Sequence, residues 1–357
     1  MEVKSRAPGK IILSGEHAVV HGSTAVASSI DLYTYVSLRF STPSSGNEEL
    51  LKLVLKDTAL EFSWPISRIR EAFPESVALL ASTPTSCSVE CSKSIAALVE
   101  DLNIPEAKIG LASAAFCVAL AAALLAVTDS VSVDVNHQGW HSFGEKELDL
   151  VNKWAFEGEK IIHGRPSGID NTVSAYGNII SFKSGKLTQM KSNVSLKMLI
   201  TNTKVGRNTK ALVAGVSERM LRHPDAMAFV FSAVDSISKE LTTILQSPIP
   251  DGLCALSVTQ IEEKVEELME MNQGLLQSMG VSHTTIETVL RTTLKYRLAS
   301  KLTGAGGGGC VLTLLPTLLS SNVVDKVVAE LESNGFQCFI AGIGGNGMKS
   351  MIKGSDP

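Results

Sequence analysis

The chain has 357 residues and a formal net charge of −4, and its composition is 44% hydrophobic and 19% charged. It is long enough for two domains with a substantial core, and the composition is that of an ordinary globular protein. The slightly negative charge, without a dense run of Lys and Arg, excludes a typical nucleic-acid-binding protein.

The cysteines and the two ends of the sequence bear on the cellular compartment. The six cysteines are scattered, and only Cys87 and Cys91 lie close together, with no second pair or nearby histidine to complete a zinc site. Residues 1–6 lack the apolar stretch of a signal peptide, and residues 354–357 carry no prenylation or peroxisomal signal. We therefore expect a cytoplasmic protein.

Residues 3–102 read as strands followed by helices. Residues 3–38 alternate short apolar runs with glycines, which predicts strands and a hairpin. Another pair of strands is predicted within residues 51–62. Residues 65–73 and 92–102 have the apolar spacing of helices.

An uncharged, alanine-rich segment follows at residues 110–127. Its length reaches the lower limit for a transmembrane helix. Eight of its residues are alanine, which contributes little to membrane insertion but is the strongest helix former. A buried helix is therefore favoured over the alternative of a membrane span, and no membrane association is expected.

The second half of the chain alternates less regularly between the two kinds of element. Helices are predicted at residues 146–162, 210–221, 226–245, 258–279 and 321–334. Strands are predicted at residues 179–182, 196–200 and 336–343. Because the order shows no strict β-α-β rhythm, an α+β fold is expected, with a domain boundary near residues 183–195. In the helix at 258–279, four glutamates are predicted to face solvent: Glu262, Glu263, Glu266 and Glu267.

Five glycines occur in the six residues 304–309, GAGGGG, between a basic approach (Arg297 and Lys301) and the apolar run at 311–315. So many glycines cost chain entropy, so the backbone here must need freedom from side chains. The commonest such need is close approach to a phosphorylated ligand, through N–H groups or through tight packing beside them. A flexible linker is the alternative, although linkers usually have Ser and polar neighbours.

Polar residues also collect in the first strand. Lys10 lies at the start of an apolar run, and the acid–imidazole pair Glu16 and His17 lies at its end. A solvated strand end is the alternative interpretation of Lys10.

Two further polar stretches follow in the chain. Residues 157–171 contain Glu159, a tight Gly/Pro loop and then Asp170, for which a helix N-cap is the alternative. Residues 201–209, TNTKVGRNT, form either a plain loop or a wall of hydroxyls and cations for an anionic substrate.

Together these stretches resemble the mevalonate kinases, and the plant forms most closely. They belong to the GHMP kinase superfamily, which also includes galactokinase, homoserine kinase and phosphomevalonate kinase. The resemblance covers nearly the whole chain and rests on residues 8–10, 15–22, 163–171, 201–209 and 304–309. It implies a two-domain α+β fold, with an N-terminal domain similar to domain 2 of ribosomal protein S5 at residues 1–190. A ferredoxin-like C-terminal domain is implied at residues 191–357.

The resemblance implies an ATP-dependent kinase that forms 5-phosphomevalonate for isoprenoid and sterol biosynthesis, with Mg²⁺ as cofactor and a homodimeric assembly. Asp170 matches the family's catalytic aspartate, which takes the proton of the primary alcohol. Lys10 matches the catalytic lysine, whose charge favours the carboxylate and the forming alkoxide.

The remaining matches imply binding residues. Glu159 and Ser113 match the magnesium ligands. The residues on the substrate side are Glu16, His17 and Thr209. The residues implied to bind ATP are Gly110, Ser113, Gly304, Ala305, Gly306 and Gly307.

The central phosphate loop departs from the family pattern. That pattern is Pro-x-Gly-x-Gly-Leu-Gly-Ser-Ser-Ala-Ala after a strand, whereas here residues 103–109 lead directly into Gly110-Leu111-Ala112-Ser113. The N-terminal domain is therefore expected to lack a strand and part of this loop, through a skipped exon, a gene-model error or genuine divergence. The alternative to an active kinase is an impaired form that acts by ligand binding or subunit association. Galactokinase and homoserine kinase activities are weaker alternatives.

Overall fold

A computed structural model describes residues 2–39, 50–55, 60–65, 67–68, 71, 113–127, 139–163, 166–247 and 255–353. The strands are β1 (Glu2–Ser14), β2 (Ala25–Arg39), β3 (Leu50–Leu55), β4 (Leu60–Pro65), β5 (Ile179–Lys183), β6 (Lys186–Met190), β7 (Lys197–Asn202), β8 (Ser300–Thr303), β9 (Cys310–Leu315), β10 (Gln337–Gly342) and β11 (Lys349–Lys353). The helices are α1 (Ser113–Val127), α2 (Glu145–His163), α3 (Ile169–Tyr176), α4 (Thr209–Arg222), α5 (Pro224–Gln246), α6 (Ala255–Met279), α7 (Thr284–Leu294) and α8 (Ser321–Ser333).

The strands form three sheets. A five-stranded sheet has the order β11-β1-β2-β5-β6, a four-stranded sheet has the order β10-β7-β9-β8, and β3 and β4 form a hairpin. The pairs β1–β11, β2–β5, β5–β6, β7–β9, β7–β10 and β8–β9 are antiparallel. Antiparallel sheets accompanied by helices confirm the predicted α+β class.

The chain divides into two compact units. Unit 1 comprises residues 1–9, 33–176 and 348–357, and unit 2 comprises residues 10–32 and 177–347. These units are built from discontinuous segments, whereas the predicted domains, 1–190 and 191–357, are continuous. The continuous division therefore stays a prediction.

Helix α1 packs against α2 and α3 in unit 1. Its alanines are buried on all sides, with Ala119, Ala122 and Ala123 fully inaccessible to solvent. The small side chains let the helices approach closely, and a Cβ added at Gly158 of α2 would lie 3.1 Å from Sγ of Cys117. The buried-helix prediction is confirmed. Within the described residues, no helix is long and apolar enough to cross a membrane.

The four-stranded sheet of unit 2 is apolar on both faces, because successive residues of a strand point to opposite sides. In β7, Met198 and Ile200 join one hydrophobic cluster, and Leu199 between them joins another. In β9, Leu312 and Val311 divide in the same way. This sheet therefore provides a rigid base for the loop between β8 and β9, which carries the glycines.

The structure confirms most predicted elements but corrects the prediction that all four glutamates of the helix at 258–279 face solvent. Glu262 does not face solvent: it is 3% exposed and accepts hydrogen bonds from the N–H and hydroxyl of Thr317 at 2.9 and 2.6 Å. Glu263 and Glu267 are exposed, as predicted. Helices α3 and α7 and strands β6, β8 and β11 were not predicted. The predicted helix at 92–102 lies outside the described residues.

Candidate functional site

The turn after β1 has a strained, closely packed backbone. Gly15 has a φ of +99°, and a Cβ on it would lie 2.4 Å from both Cα of Ala25 and the carbonyl oxygen of Thr24. His17 also has a positive φ, 60°. Only glycine fits at position 15, and this fixed turn buries the side chains of both Glu16 and His17.

His17 bonds to the glycine-rich turn. Its Nε2 lies 2.8 Å from the carbonyl oxygen of Ala305. Burial lowers the pKa of His17, although the Ala305 hydrogen bond and the charge of Glu16 oppose the shift. Because a carbonyl oxygen only accepts, Nε2 carries the hydrogen, and in the neutral ring Nδ1 is an acceptor. Nδ1 is buried without a hydrogen-bond partner among the described residues.

Glu16 forms a buried ion pair with Lys301 of β8. Nζ of Lys301 lies 2.5 Å from Oε1 of Glu16, and both side chains are 1% exposed. Desolvation lowers the pKa of Lys301, against the raising effect of Glu16. Lys301 was expected in a basic approach to the glycines, but its ammonium is interior and its partner is Glu16. Oε2 of Glu16 is buried as well and, like Nδ1 of His17, has no hydrogen-bond partner among the described residues.

The glycine-rich segment is a structured turn, so the linker alternative is wrong. Gly304 and Gly306 to Gly309 all have positive φ. A Cβ on Gly306 would lie 2.1 Å from the carbonyl oxygen of Val281, and one on Gly308 would lie 2.8 Å from Val205. The N–H of Gly307 donates to Val281 O at 2.8 Å. Tight packing therefore accounts for these glycines, and the N–H of Gly307 points inward.

The polar stretch 201–209 packs beside this turn. The hydroxyl and N–H of Thr203 both donate to the carbonyl oxygen of Gly309 at 2.8 Å. The Arg207 guanidinium donates to Thr303 O at 3.4 Å, and a Cβ on Gly309 would meet it at 2.4 Å. Thr209 is the exposed first residue of α4. The structure thus places a cation and a hydroxyl-bearing segment at the glycine turn, rather than a plain loop.

In unit 1, Glu159 of α2 lies beside Cys117 of α1. Glu159 is 2% exposed. Burial, and then the charge and hydrogen bond of Glu159, raise the pKa of the Cys117 thiol to about 12. The thiol is therefore protonated and donates to the carboxylate. The sequence did not indicate Cys117 as a partner of Glu159, because a single cysteine in an alanine-rich helix is typical of an ordinary buried position.

Asp170 is the second residue of α3 and lies in its first turn. The N-cap interpretation is therefore wrong, since a cap residue precedes the helix. The helix dipole favours a carboxylate at this position. The next residue, Asn171, is buried and donates from Nδ2 to Oδ1 of Asn152 at 2.7 Å. This bond ties α3 to α2.

The remaining predicted site residues are described by their positions in the fold. Lys10 is partly buried in β1, and Ser113 is the first residue of α1. Gly110 lies outside the described residues. Among the residues that the structure describes, no group of three or more His, Cys, Asp or Glu side chains is arranged to hold a metal ion.

Comparison with known proteins identifies first a class of kinase. The family model described as GHMP kinases C terminal matches residues 257–337. The Methanococcus jannaschii mevalonate kinase structure superimposes with a TM-score of 0.66 at 22% identity, covering 96% of this chain and 97% of that one. The structure of L. major mevalonate kinase in complex with R-mevalonate gives 0.64 at 21% identity, covering 96% of each chain. The fold is thus that of the GHMP kinases.

The sequence relatives are more specific. The Arabidopsis thaliana mevalonate kinase is 61% identical, over 97% of this chain and 99% of the relative. The Homo sapiens mevalonate kinase is 36% identical, over 96% of this chain and 93% of the relative. The chain therefore belongs to the mevalonate kinase family. The alignment with the Arabidopsis protein runs over 383 positions, more than the 357 residues of this chain, so that relative has residues with no counterpart here.

Proposed function

We propose that the chain transfers the γ-phosphoryl group of ATP to the 5-hydroxyl of (R)-mevalonate and forms (R)-5-phosphomevalonate for isoprenoid and sterol biosynthesis. The observation that carries this proposal is the high identity to a mevalonate kinase over nearly the full length of both proteins. The matched polar residues Lys10, Glu159 and Asp170 are all retained.

Asp170 acts as the base for the acceptor alcohol. A primary alcohol is a poor nucleophile until its proton leaves, and a carboxylate within reach of the hydroxyl takes that proton. The first turn of α3 suits this role, because the helix dipole favours the ionised carboxylate. Lys10 contributes positive charge that stabilises the forming alkoxide.

The residues that the family resemblance assigns to the substrate side are Glu16, His17 and Thr209. The buried, unbonded Nδ1 of His17 is an acceptor suited to a hydroxyl of mevalonate. The exposed hydroxyl of Thr209 is a second donor or acceptor. Glu16 serves this side through its ion pair with Lys301, which holds the turn that carries His17.

The donor side takes ATP and Mg²⁺. A magnesium ion prefers carboxylate and hydroxyl oxygens together with phosphate oxygens, so Glu159 and Ser113 are the right donor types for it. The bound ion supplies neutralisation of the phosphate charge. The family resemblance assigns Gly110 and residues 304–307 to the nucleotide. The close packing of Gly306 against Val281 fixes the backbone of the glycine turn, and this supports its assignment to the nucleotide.

The organisation we propose is a family-like pair of domains, 1–190 and 191–357, in a cytoplasmic homodimer. The C-terminal family match lies wholly within the second segment. The free thiols of Cys117, Cys310 and Cys338 suit a reducing compartment.

An assay of the purified full chain with ATP, Mg²⁺ and mevalonate tests the activity. We expect mevalonate-dependent release of ADP together with 5-phosphomevalonate, detected by mass spectrometry. Galactose and homoserine serve as control acceptors and should give no product. Mevalonate binding by calorimetry without turnover would instead support the impaired form.

A further inference from the structure

The Lys301 ammonium is fully buried and donates at three places. Its acceptors are Oε1 of Glu16 at 2.5 Å, the carbonyl of Leu302 at 2.7 Å and the carbonyl of Ile12 at 3.5 Å. An ammonium group has three hydrogens, so its donor capacity is used. One side chain thereby joins Ile12 near the end of β1 and Glu16 in the turn after it to strand β8, and these residues all lie in unit 2.

Two further contacts repeat this connection on either side of the ion pair. Thr303 exchanges hydrogen bonds with Ile12, its hydroxyl donating to the carbonyl and accepting from the N–H, both at 2.9 Å. His17 bonds to Ala305 at 2.8 Å. Three side-chain contacts thus link the end of β1 and the turn after it to β8 and the glycine turn. Of these three contacts, only the one between Glu16 and Lys301 is an ion pair.

Stability alone does not explain a charged pair here. The stem of Lys301 lines a small cavity with Leu13, Met198 and Leu312, so the surroundings would suit an apolar residue. Desolvating two charges is expensive, and a well-packed apolar replacement of such a pair is often neutral or stabilising. Ion pairs of this kind are retained in some proteins because they specify one arrangement of the groups around them.

We propose that Lys301 is a positioning residue: through Glu16 it holds the Gly15–His17 turn so that the His17 ring meets the Ala305 carbonyl. The ion pair lies one residue from His17 and four residues before Ala305 in the sequence. It therefore sets the separation of the His17 side chain from the glycine turn. This inference rests on the proposed function, in which His17 serves mevalonate and residues 304–307 serve ATP.

The central test is the double variant Glu16→Gln/Lys301→Met, which removes both charges and leaves no uncompensated ion. We expect its melting temperature to stay close to the parent's, because neither charge must be desolvated. We expect kcat to fall about tenfold or more, because small displacements of reacting groups cost large factors in rate. The KM values should change much less.

The second readout needs no substrate. Selective ¹⁵N labelling of histidine reports the Nε2–H of His17 by NMR, and its hydrogen bond to Ala305 should weaken in the double variant. If the double variant keeps the parent's kcat and His17 signal, the pair is not needed to position the histidine and the proposal is overturned. If the parent lacks mevalonate kinase activity, the proposed function fails, but the His17 signal still decides this inference.

Two more variants complete the design. Glu16→Asp keeps the charge but shortens the side chain, so it should fold even if the double variant does not. We expect a shifted His17 signal and a lower kcat from it, and unchanged values of both would contradict the proposal. Lys295→Met breaks the exposed pair with Glu330 and is the matched control, which should leave both readouts unchanged.

Discussion

His17 and Ala305 are 288 positions apart in the chain, and the ring of one bonds to the carbonyl of the other at 2.8 Å. The bond requires a proton on Nε2, and burial favours the neutral ring, so a single tautomer is selected. The positive φ of His17 and the glycines after Ala305 make this approach possible. The contact therefore depends on two unusual backbone segments at once.

Acid should destabilise the protein through this histidine. The pKa of His17 is lowered in the folded state, so the unfolded chain binds more protons as the pH falls below about 6.5, the ordinary pKa of histidine. The free energy of unfolding should thus fall from pH 6.5 towards the lowered pKa of His17. His17→Asn should show a smaller fall between pH 7 and pH 5 in urea titrations. Since burial also lowers the pKa of His21, His21→Asn is measured in parallel. An acid sensitivity that neither substitution reduces would contradict the assignment.

Asp170→Asn should abolish most activity and leave the fold intact. The amide keeps the shape but loses the charge and basicity, and a general base contributes about 10²–10⁴-fold to the rate. Losing the charge in the first turn of α3 should cost about 0.3–1 kcal/mol of stability. Turnover with mevalonate and the melting temperature are the measurements, and Asp149→Asn, in an exposed pair with Lys153, is the control. A variant with more than about a tenth of the parent turnover would argue against an essential base.

Local patterns were enough to predict most of the described helices and the inner strands, because apolar spacing reports which face is buried. They failed where burial depends on a distant partner. Lys301 was expected in a basic approach to the glycines, but it is buried against Glu16, which lies 285 positions away. Glu262 was expected in a solvated acidic face, but Thr317 supplies two donors to it. The positions of Lys10, Glu16 and Asp170 as site candidates came from the family resemblance, since spacing alone allows ordinary alternatives for Lys10 and Asp170.

Glu159→Gln should raise the Mg²⁺ concentration needed for activity more than it changes the KM for mevalonate. An amide oxygen is a neutral and poorer ligand for a hard dication, so excess Mg²⁺ should recover part of the loss. Titrating Mg²⁺ at fixed ATP provides the measurement. Glu157→Gln, which breaks the pair with Lys160 on the same helix, is the matched control. An unaltered Mg²⁺ requirement in the Glu159 variant would rule out the ligand role.

Gly306→Ala should destabilise the protein more than Gly335→Ala. Both glycines have positive φ, and an alanine in that conformation costs about 1–2 kcal/mol. Only at Gly306 would the new Cβ also clash, 2.1 Å from the carbonyl oxygen of Val281, whereas nothing lies within 4 Å at Gly335. Urea unfolding of both variants isolates the clash. An equal loss of unfolding free energy in the two variants would mean that the glycine turn can relax around the new Cβ. That result would contradict a rigid backbone at this turn.

Restoring the central phosphate loop should strengthen nucleotide binding. Gly110-Leu111-Ala112-Ser113 offers one glycine before α1, and Leu111 stands at the family's last glycine position. A side chain there obstructs any close approach of phosphate to the backbone. A version with the Pro-x-Gly-x-Gly-Leu-Gly turn and its leading strand should therefore bind ATP more tightly and melt at a higher temperature. Calorimetric titration with ATP and thermal unfolding of both versions supply the comparison. Equal affinity and melting temperature would mean that residues 108–113 rebuild the phosphate site by another route, and the impaired-kinase alternative would lose its basis.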